Sequence, residues 1–168
     1  MPTIDLIVAA TDFSKASETA MTYAKSMALR YGAALRIVHV AEDVAAMYAN
    51  VEGPVPDLEG LQQQAEQDDE RELAKTVTRE DRQILDVRPV MLSSAPVAAA
   101  IVEYARGQRA GLIVMGTHGR TGIARLLLGS VAEHVIRLAD CPVLTVRTPA
   151  DPSDEAVGVE ERELAGVA

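Results

Sequence analysis

The residues best placed to do chemistry lie between Gly111 and His134. Four large apolar residues, Leu112 to Met115, are followed by Gly116, Gly119, Gly122 and Gly129, and then by Ser130-Val131-Ala132-Glu133. A short apolar run bounded by glycines reads as a strand buried on both faces. Glycines let a backbone come close to a ligand because no Cβ intervenes. The start of the helix that follows offers unpaired N–H groups and the positive end of the helix dipole, which together suit a phosphate. In an open α/β sheet, ligands bind beyond the carboxyl ends of the strands. Strand, glycine loop and helix start therefore form a candidate phosphate cradle.

Two familiar phosphate loops do not match. The dinucleotide fingerprint G-x-G-x-x-G fails because the first spacing is Gly116-x-x-Gly119, and the P-loop fails because no lysine stands between Gly129 and Ser130. What remains is G-x2-G-x9-G-S, formed by Gly116, Gly119, Gly129 and Ser130. A purely structural reading stands beside it. Ser130-x-x-Glu133 has the spacing of a capping box, which a helix can use with no ligand present.

The elements that must position this loop follow in a regular order. Residues 3–10 read as the first strand and end in the turn Thr11-Asp12-Phe13-Ser14. Ser14 suits an N-cap with Glu18 in the first turn, Ala20, Ala24, Met27, Ala28 and Tyr31 keep helical spacing, and Gly32 suits the end. Residues 34–40 form the second strand, ending in His39-Val40. Residues 41–57, with Gly53, Pro54 and Pro56, read as a mobile connection. One long helix is expected from about Leu58 to Asp81, carrying a thin stripe of Leu58, Leu61, Ala65, Leu73 and Val77 and a solvated charged face. Residues 84–92 are the third strand. Pro96 fits the first position of a third helix that turns Val97, Ile101 and Ala105 inward. Residues 130–138 form the fourth helix, and 143–147 the fifth strand. Strand–helix alternation of this kind gives a parallel sheet with helices on both faces.

Composition bounds the class. At 168 residues one domain is expected over 1–148. Residues 149–168, rich in Asp and Glu with little apolar content, read as a disordered or loosely attached tail. A hydrophobic share of 48 % supplies a core, built from aliphatic residues because aromatics are 3 %. The net charge of −9 lacks the basic footprint of a nucleic-acid binder. No apolar run approaches the roughly 18 residues of a spanning helix, so no membrane insertion is expected. The single cysteine, Cys141, and the absence of a secretory leader fit a cytoplasmic protein.

The G-x2-G-x9-G-S loop, Thr11-Asp12-Phe13-Ser14 after the first strand, His39-Val40 closing the second, and a last strand after Cys141-Pro142 together resemble the universal stress protein family over residues 3–147. The resemblance implies a five-stranded parallel sheet of order 3-2-1-4-5, a Rossmann-like fold of the adenine-nucleotide alpha hydrolase kind. It implies an adenine nucleotide, ATP or alternatively ADP, AMP or cAMP. It places the base near Val40, with Ala10, Thr11 and Asp12 bordering base and ribose, Met115 and Gly116 flanking the ribose, and Gly119, Gly129, Ser130, Val131 and Ala132 at the phosphates. His118 and Arg120 are near enough in sequence to add charge, as on weaker grounds is Arg125. Asp12 has a structural alternative, an Asx turn closing the first strand. Without a P-loop lysine, Mg²⁺ held by phosphate oxygens and water is the natural neutraliser.

No catalytic residue is identified. His39 reads as a core or strand-end histidine, His134 lies in a helix, and nothing marks Cys141 as an activated thiolate. The leading expectation is an ATP-binding stress-response regulator with slow or no hydrolysis, acting on an unknown protein partner. A slow ATPase or adenylyl-transferring enzyme, and a nucleotide-independent dimeric adaptor, are the alternatives. The family resemblance implies a homodimer, and the apolar fifth strand, Val143 to Arg147, is the sheet edge to pair.

Overall fold

The computed structural model describes residues 3–49, 57–93, 96–117 and 129–147. The elements, in chain order, are β1 (Leu6–Ala10), α1 (Lys15–Tyr31), β2 (Ala34–Val40), α2 (Val44–Tyr48), α3 (Leu58–Lys75), α4 (Arg79–Ile84), β3 (Val87–Leu92), α5 (Val97–Gly107), β4 (Leu112–Gly116), α6 (Ser130–Leu138) and β5 (Val143–Val146). The expected boundary at residue 148 and the acidic tail lie outside the described residues.

The strands form one five-stranded sheet in the order β3-β2-β1-β4-β5, and every pairing is parallel. Alternation along each strand divides its side chains between two cores. Ile7, Ala9, Leu35, Ile37, Leu112 and Val114 pack with α1, Leu73 and Val77 on one face. Val8, Ala10, Val38, Val40, Ile113 and Met115 pack with α5 and α6 on the other. The apolar runs of β1 and β4 are continuous because both faces are covered.

Helix α1 behaves as its sequence dictates. Ser14 is the N-cap and its hydroxyl accepts from the Ser17 amide, while Gly32 ends the helix at φ 65°, a conformation that favours glycine. Ala20, Ala24 and Ala28 are fully buried, so small side chains bring the helix close to the sheet.

Three expectations are corrected. The long helix from Leu58 to Asp81 is two helices, broken at Thr76-Val77-Thr78. Thr78 and Asp81 make a reciprocal capping box that starts α4 afresh, and α4 takes Ile84 out of the third strand, leaving it 61 % exposed. The apolar stripe also thins more than expected. Leu73 is the buried residue of α3, and Leu61 is 40 % exposed. Within residues 41–57, the described part contains the short helix α2, capped by Asp43; residues 50–56 lie outside the description.

The α3–α4 break is held to α1 by Lys25. Its ammonium donates to the Thr76 carbonyl at 2.8 Å and to Asp81 at 2.6 Å. Burial alone would raise the Asp81 carboxyl, but Lys25 and Thr78 outweigh it, and its pKa lies below the usual 3.8. A carboxylate depressed in the folded state stabilises above its unfolded pKa and loses that contribution as pH falls through the folded one. Asp81→Asn is therefore expected to cost about 1 kcal/mol at pH 7, the scale of a lost cap. Urea melts of both proteins should converge as the pH falls through the acid range below 3.8, where the carboxylate takes up its proton; a gap independent of pH would contradict the assignment.

Candidate functional site

The sheet order makes β1 and β4 neighbours, and the connections from these two strands run in opposite directions, to β2 and to β5. Such a switch point leaves a crevice beyond the strand ends. A cavity of about 300 Å³ lies there, lined from β1 and its turn by Ala10, Thr11 and Asp12, from β2 by Val40, from β4 by Met115 and Gly116, and from the start of α6 by Gly129, Ser130, Val131 and Ala132. These candidate residues are far apart in sequence and meet around one space. The other three, His118, Gly119 and Arg120, lie outside the described residues, as does Arg125.

The turn after β1 is tightly determined. Ser17 Oγ donates to the Ser14 carbonyl at 2.8 Å, so Thr11 Oγ1, 3.1 Å away, is the donor of that pair. Thr11 Oγ1 in turn accepts from the Phe13 amide, and Asp12 Oδ1 accepts from the Ser14 amide, both at 3.1 Å. The Asx turn is thus formed, while Asp12 also lines the cavity. Phe13 sits at φ 63°, which is unfavourable for a bulky residue. These bonds, and the His39 ring 4.3 Å from its own, hold it there.

The capping box expected at Ser130 is not formed. Gly129 is the N-cap, with no side-chain cap bond, and Ser130 is the first helical residue. The Gly129 amide donates to the Thr117 carbonyl at 2.6 Å, which starts the helix one residue earlier. The Ser130 hydroxyl is then one position late for the N-cap role. The mouth of α6 opens on the cavity with glycine at its cap, a residue with no side chain to cap the helix itself.

Gly116 has a second reason to be glycine. A Cβ there would lie 3.0 Å from the Ala16 carbonyl carbon and 3.1 Å from the Ser17 nitrogen. The start of α1 crosses β4 at that point, so an added side chain would press on the α1 backbone.

Several lining residues were not foreseen as site residues. Val97 and Ile101 form an apolar wall because α5 leans over the end of β2; helical spacing marked them only as core. Ser17, Val38, His39, Glu42 and Thr117 complete the lining. His39 carried a signal, as a polar residue in an apolar strand. His134, on the first turns of α6, donates from Nδ1 to the Ser130 carbonyl at 2.7 Å. Cys141 is half-buried away from this cavity, and burial pushes its thiol up, the opposite of activation. Among the described residues no group of three or more His, Cys, Asp or Glu could hold a metal, and no helix is long and apolar enough to cross a membrane.

Comparison with known proteins decides the family. The model of the universal stress protein family matches residues 3–147. The chain belongs to the universal stress protein family. One member, from Methanocaldococcus jannaschii, is 36 % identical over 143 residues, which span 85 % of this chain and 82 % of that protein. The solved structure of a second protein of that organism superposes with a TM-score of 0.74 at 23 % identity, covering 88 % of this chain and 99 % of the other, and shares the fold. A universal stress protein solved in complex with cAMP is 27 % identical with a TM-score of 0.56, covering 87 % of this chain and 98 % of its own. The Rossmann-like sheet of this universal stress protein is that of its relatives.

Proposed function

We propose that this universal stress protein binds an adenine nucleotide in the cavity at the β1–β4 switch point and acts as a nucleotide-sensing regulator. The observation that carries the proposal is one space bounded by an apolar wall at one side and by the glycine-capped start of α6 at another. The cavity falls within the size range of small-molecule sites, about 300–1,000 Å³. Membership of the family, and the cAMP complex of a relative at 27 % identity, support the nucleotide class.

In this reading the base lies against Val97, Ile101 and Met115, and the backbone of Val40 meets its edge. Ala10, Thr11 and Asp12 border base and ribose, with Gly116 beside the sugar. The amides of Gly129, Ser130, Val131 and Ala132 meet the phosphates at the positive end of the helix. Gly119 completes the loop, and His118 and Arg120 add charge. ATP is the preferred ligand because the G-x2-G-x9-G-S loop provides for a chain of phosphates. Mg²⁺, when bound, would neutralise that chain through phosphate oxygens and water, with Asp12 a candidate protein ligand. We assign no catalytic residue. Fast hydrolysis would need a positioned water and strong stabilisation of developing charge, and the residues placed around the cavity suggest neither.

Calorimetric titration with ATP and Mg²⁺ is expected to give one site per chain, with competition by ADP or AMP. Titration with cAMP separates the cyclic ligand from ATP. Absence of heat with every adenine nucleotide would refute the proposal, and rapid phosphate or pyrophosphate release in a single turnover would replace regulator by enzyme.

The working form we propose is a cytoplasmic homodimer that signals to a protein partner. β5 is the last strand of the sheet, and Val143, Leu144 and Thr145 are half-buried. Antiparallel pairing with β5 of a second copy would satisfy that edge. Sedimentation equilibrium at micromolar concentration is expected to give twice the chain mass; a monomer would refute the pairing.

A further inference from the structure

His39 is 3 % exposed, and oxygen acceptors face both of its ring nitrogens. Nδ1 is 2.9 Å from the Thr11 carbonyl, which accepts and cannot donate, so Nδ1 carries a proton. Nε2 is 3.2 Å from Oδ2 of Asp69 on α3, within ion-pair distance but off the line of a hydrogen bond. A neutral ring protonated on Nδ1 would turn a bare lone pair toward that carboxylate. A ring protonated on both nitrogens keeps the bond from Nδ1 to Thr11 and sets a positive charge 3.2 Å from the Asp69 carboxylate.

Carboxylates face the ring or share its cavity. Asp69 comes from α3, Asp12 from the turn after β1 and Glu42 from the segment after β2, and no lysine or arginine is among the described residues lining the cavity. On the remaining sides stand the ring of Phe13 and, across the β2–β3 pairing, Met91.

Helix α3 is anchored by Leu73 near its end, while Leu61 near its start is 40 % exposed. In between, its grip on the rest of the molecule is polar. Gln62 accepts from the Val44 amide at 2.9 Å and donates to the Glu42 carbonyl at 3.3 Å and to Glu66 at 2.8 Å. Glu42 lines the cavity, so α3 touches its rim.

We propose that His39 and Asp69 form a proton-sensitive latch that holds α3 against the β2 side of the cavity. It is fastened while the imidazole is charged. It opens when Nε2 loses its proton, because a lone pair then faces the Asp69 carboxylate, and the Gln62 contacts at the rim loosen with it. The fastening is present at the acid end of the histidine range and lost as pH rises through it. The latch does not depend on which ligand the cavity takes.

Hydrogen exchange of the nucleotide-free full chain tests this between about pH 5.5 and 8.5, the range in which histidine changes charge. Protection of residues 61–72, relative to an unstructured peptide and normalised to α1, is expected to fall about tenfold across the range, as one coupled proton allows. Asp69→Asn should show low protection at every pH. His39→Gln should behave likewise if it folds. Asp69 is partly exposed, so its variant tests the latch even if the buried substitution unfolds the chain. The other histidines remain in Asp69→Asn, so any dependence that survives belongs to them. A pH-independent ratio in the parent protein, or an Asp69→Asn variant that keeps the parent's dependence, would overturn the proposal.

Discussion

Gly116→Val is expected to lower the midpoint of thermal unfolding by roughly 6–12 °C. The first added carbon would lie 3.0 Å from the Ala16 carbonyl carbon and 3.1 Å from both the Ala16 Cβ and the Ser17 nitrogen. Two of these three are main-chain atoms at the start of α1, so no side chain can swing aside. Overpacking of this kind costs about 1–3 kcal/mol, and the two methyls of valine place this case near 3 kcal/mol. For a chain of this size each kcal/mol moves the midpoint by roughly 2–4 °C. Gly116→Ala should give a smaller fall. The strain reaches the site, because displacing Ser17 disturbs its bond to Thr11, and Thr11 and Ser17 both line the cavity. Calorimetry on the three proteins checks this. An unchanged midpoint in the valine variant would mean that α1 does not cross β4 this closely in solution.

Ser130→Asp is expected to separate binding from stability. Ser130 is the exposed first residue of α6 and lines the cavity. A carboxylate in the first turn of a helix is favourable by about 0.3–1 kcal/mol, so the nucleotide-free protein should hold or gain stability. The same carboxylate would stand where the proposal puts phosphates. At an effective dielectric near 20, two unit charges about 4 Å apart repel by roughly 4 kcal/mol. Discounting for solvent and Mg²⁺, ATP affinity should fall about 100-fold or more, or roughly 2.7 kcal/mol. Adenosine, which has no phosphate, should lose far less. Equal losses for ATP and adenosine, or none for either, would count against phosphates at α6. Paired titrations and melts of the same preparation distinguish these outcomes.

Much of the architecture was legible from local chemistry. Ser14 and Gly32 delimit α1 because capping and left-handed geometry are local properties. The continuous apolar run at Leu112–Gly116 announced a strand covered on both faces, and Leu6–Ala10 read as a strand. The glycine loop pointed to the end of the sheet where the cavity lies, since a cradle needs a strand end and a helix start in succession. The break between α3 and α4 was missed for a physical reason. The thin apolar stripe continues through Leu73 and Val77, while the capping signal that ends the pattern, Thr78 with Asp81, lies three residues apart within it.

Other features depend on segments that come together only in the fold. Ser130-x-x-Glu133 has the spacing of a capping box, yet a backbone bond from Gly129 to Thr117 assigns the cap to the glycine. Gly116 looked like a ligand-facing glycine, and packing shows that the start of α1 also crowds that position. Val97 and Ile101 read as core until the lean of α5 turned them into a cavity wall. The sequence by itself determined most of the elements, their order along the chain and the residue types able to hold an anion, because propensity, capping and periodicity act over a few residues. Tertiary structure alone decided which distant side chains share the cavity and that His39 meets Asp69 across thirty positions of chain, because those distances are set by how the helices pack on the sheet.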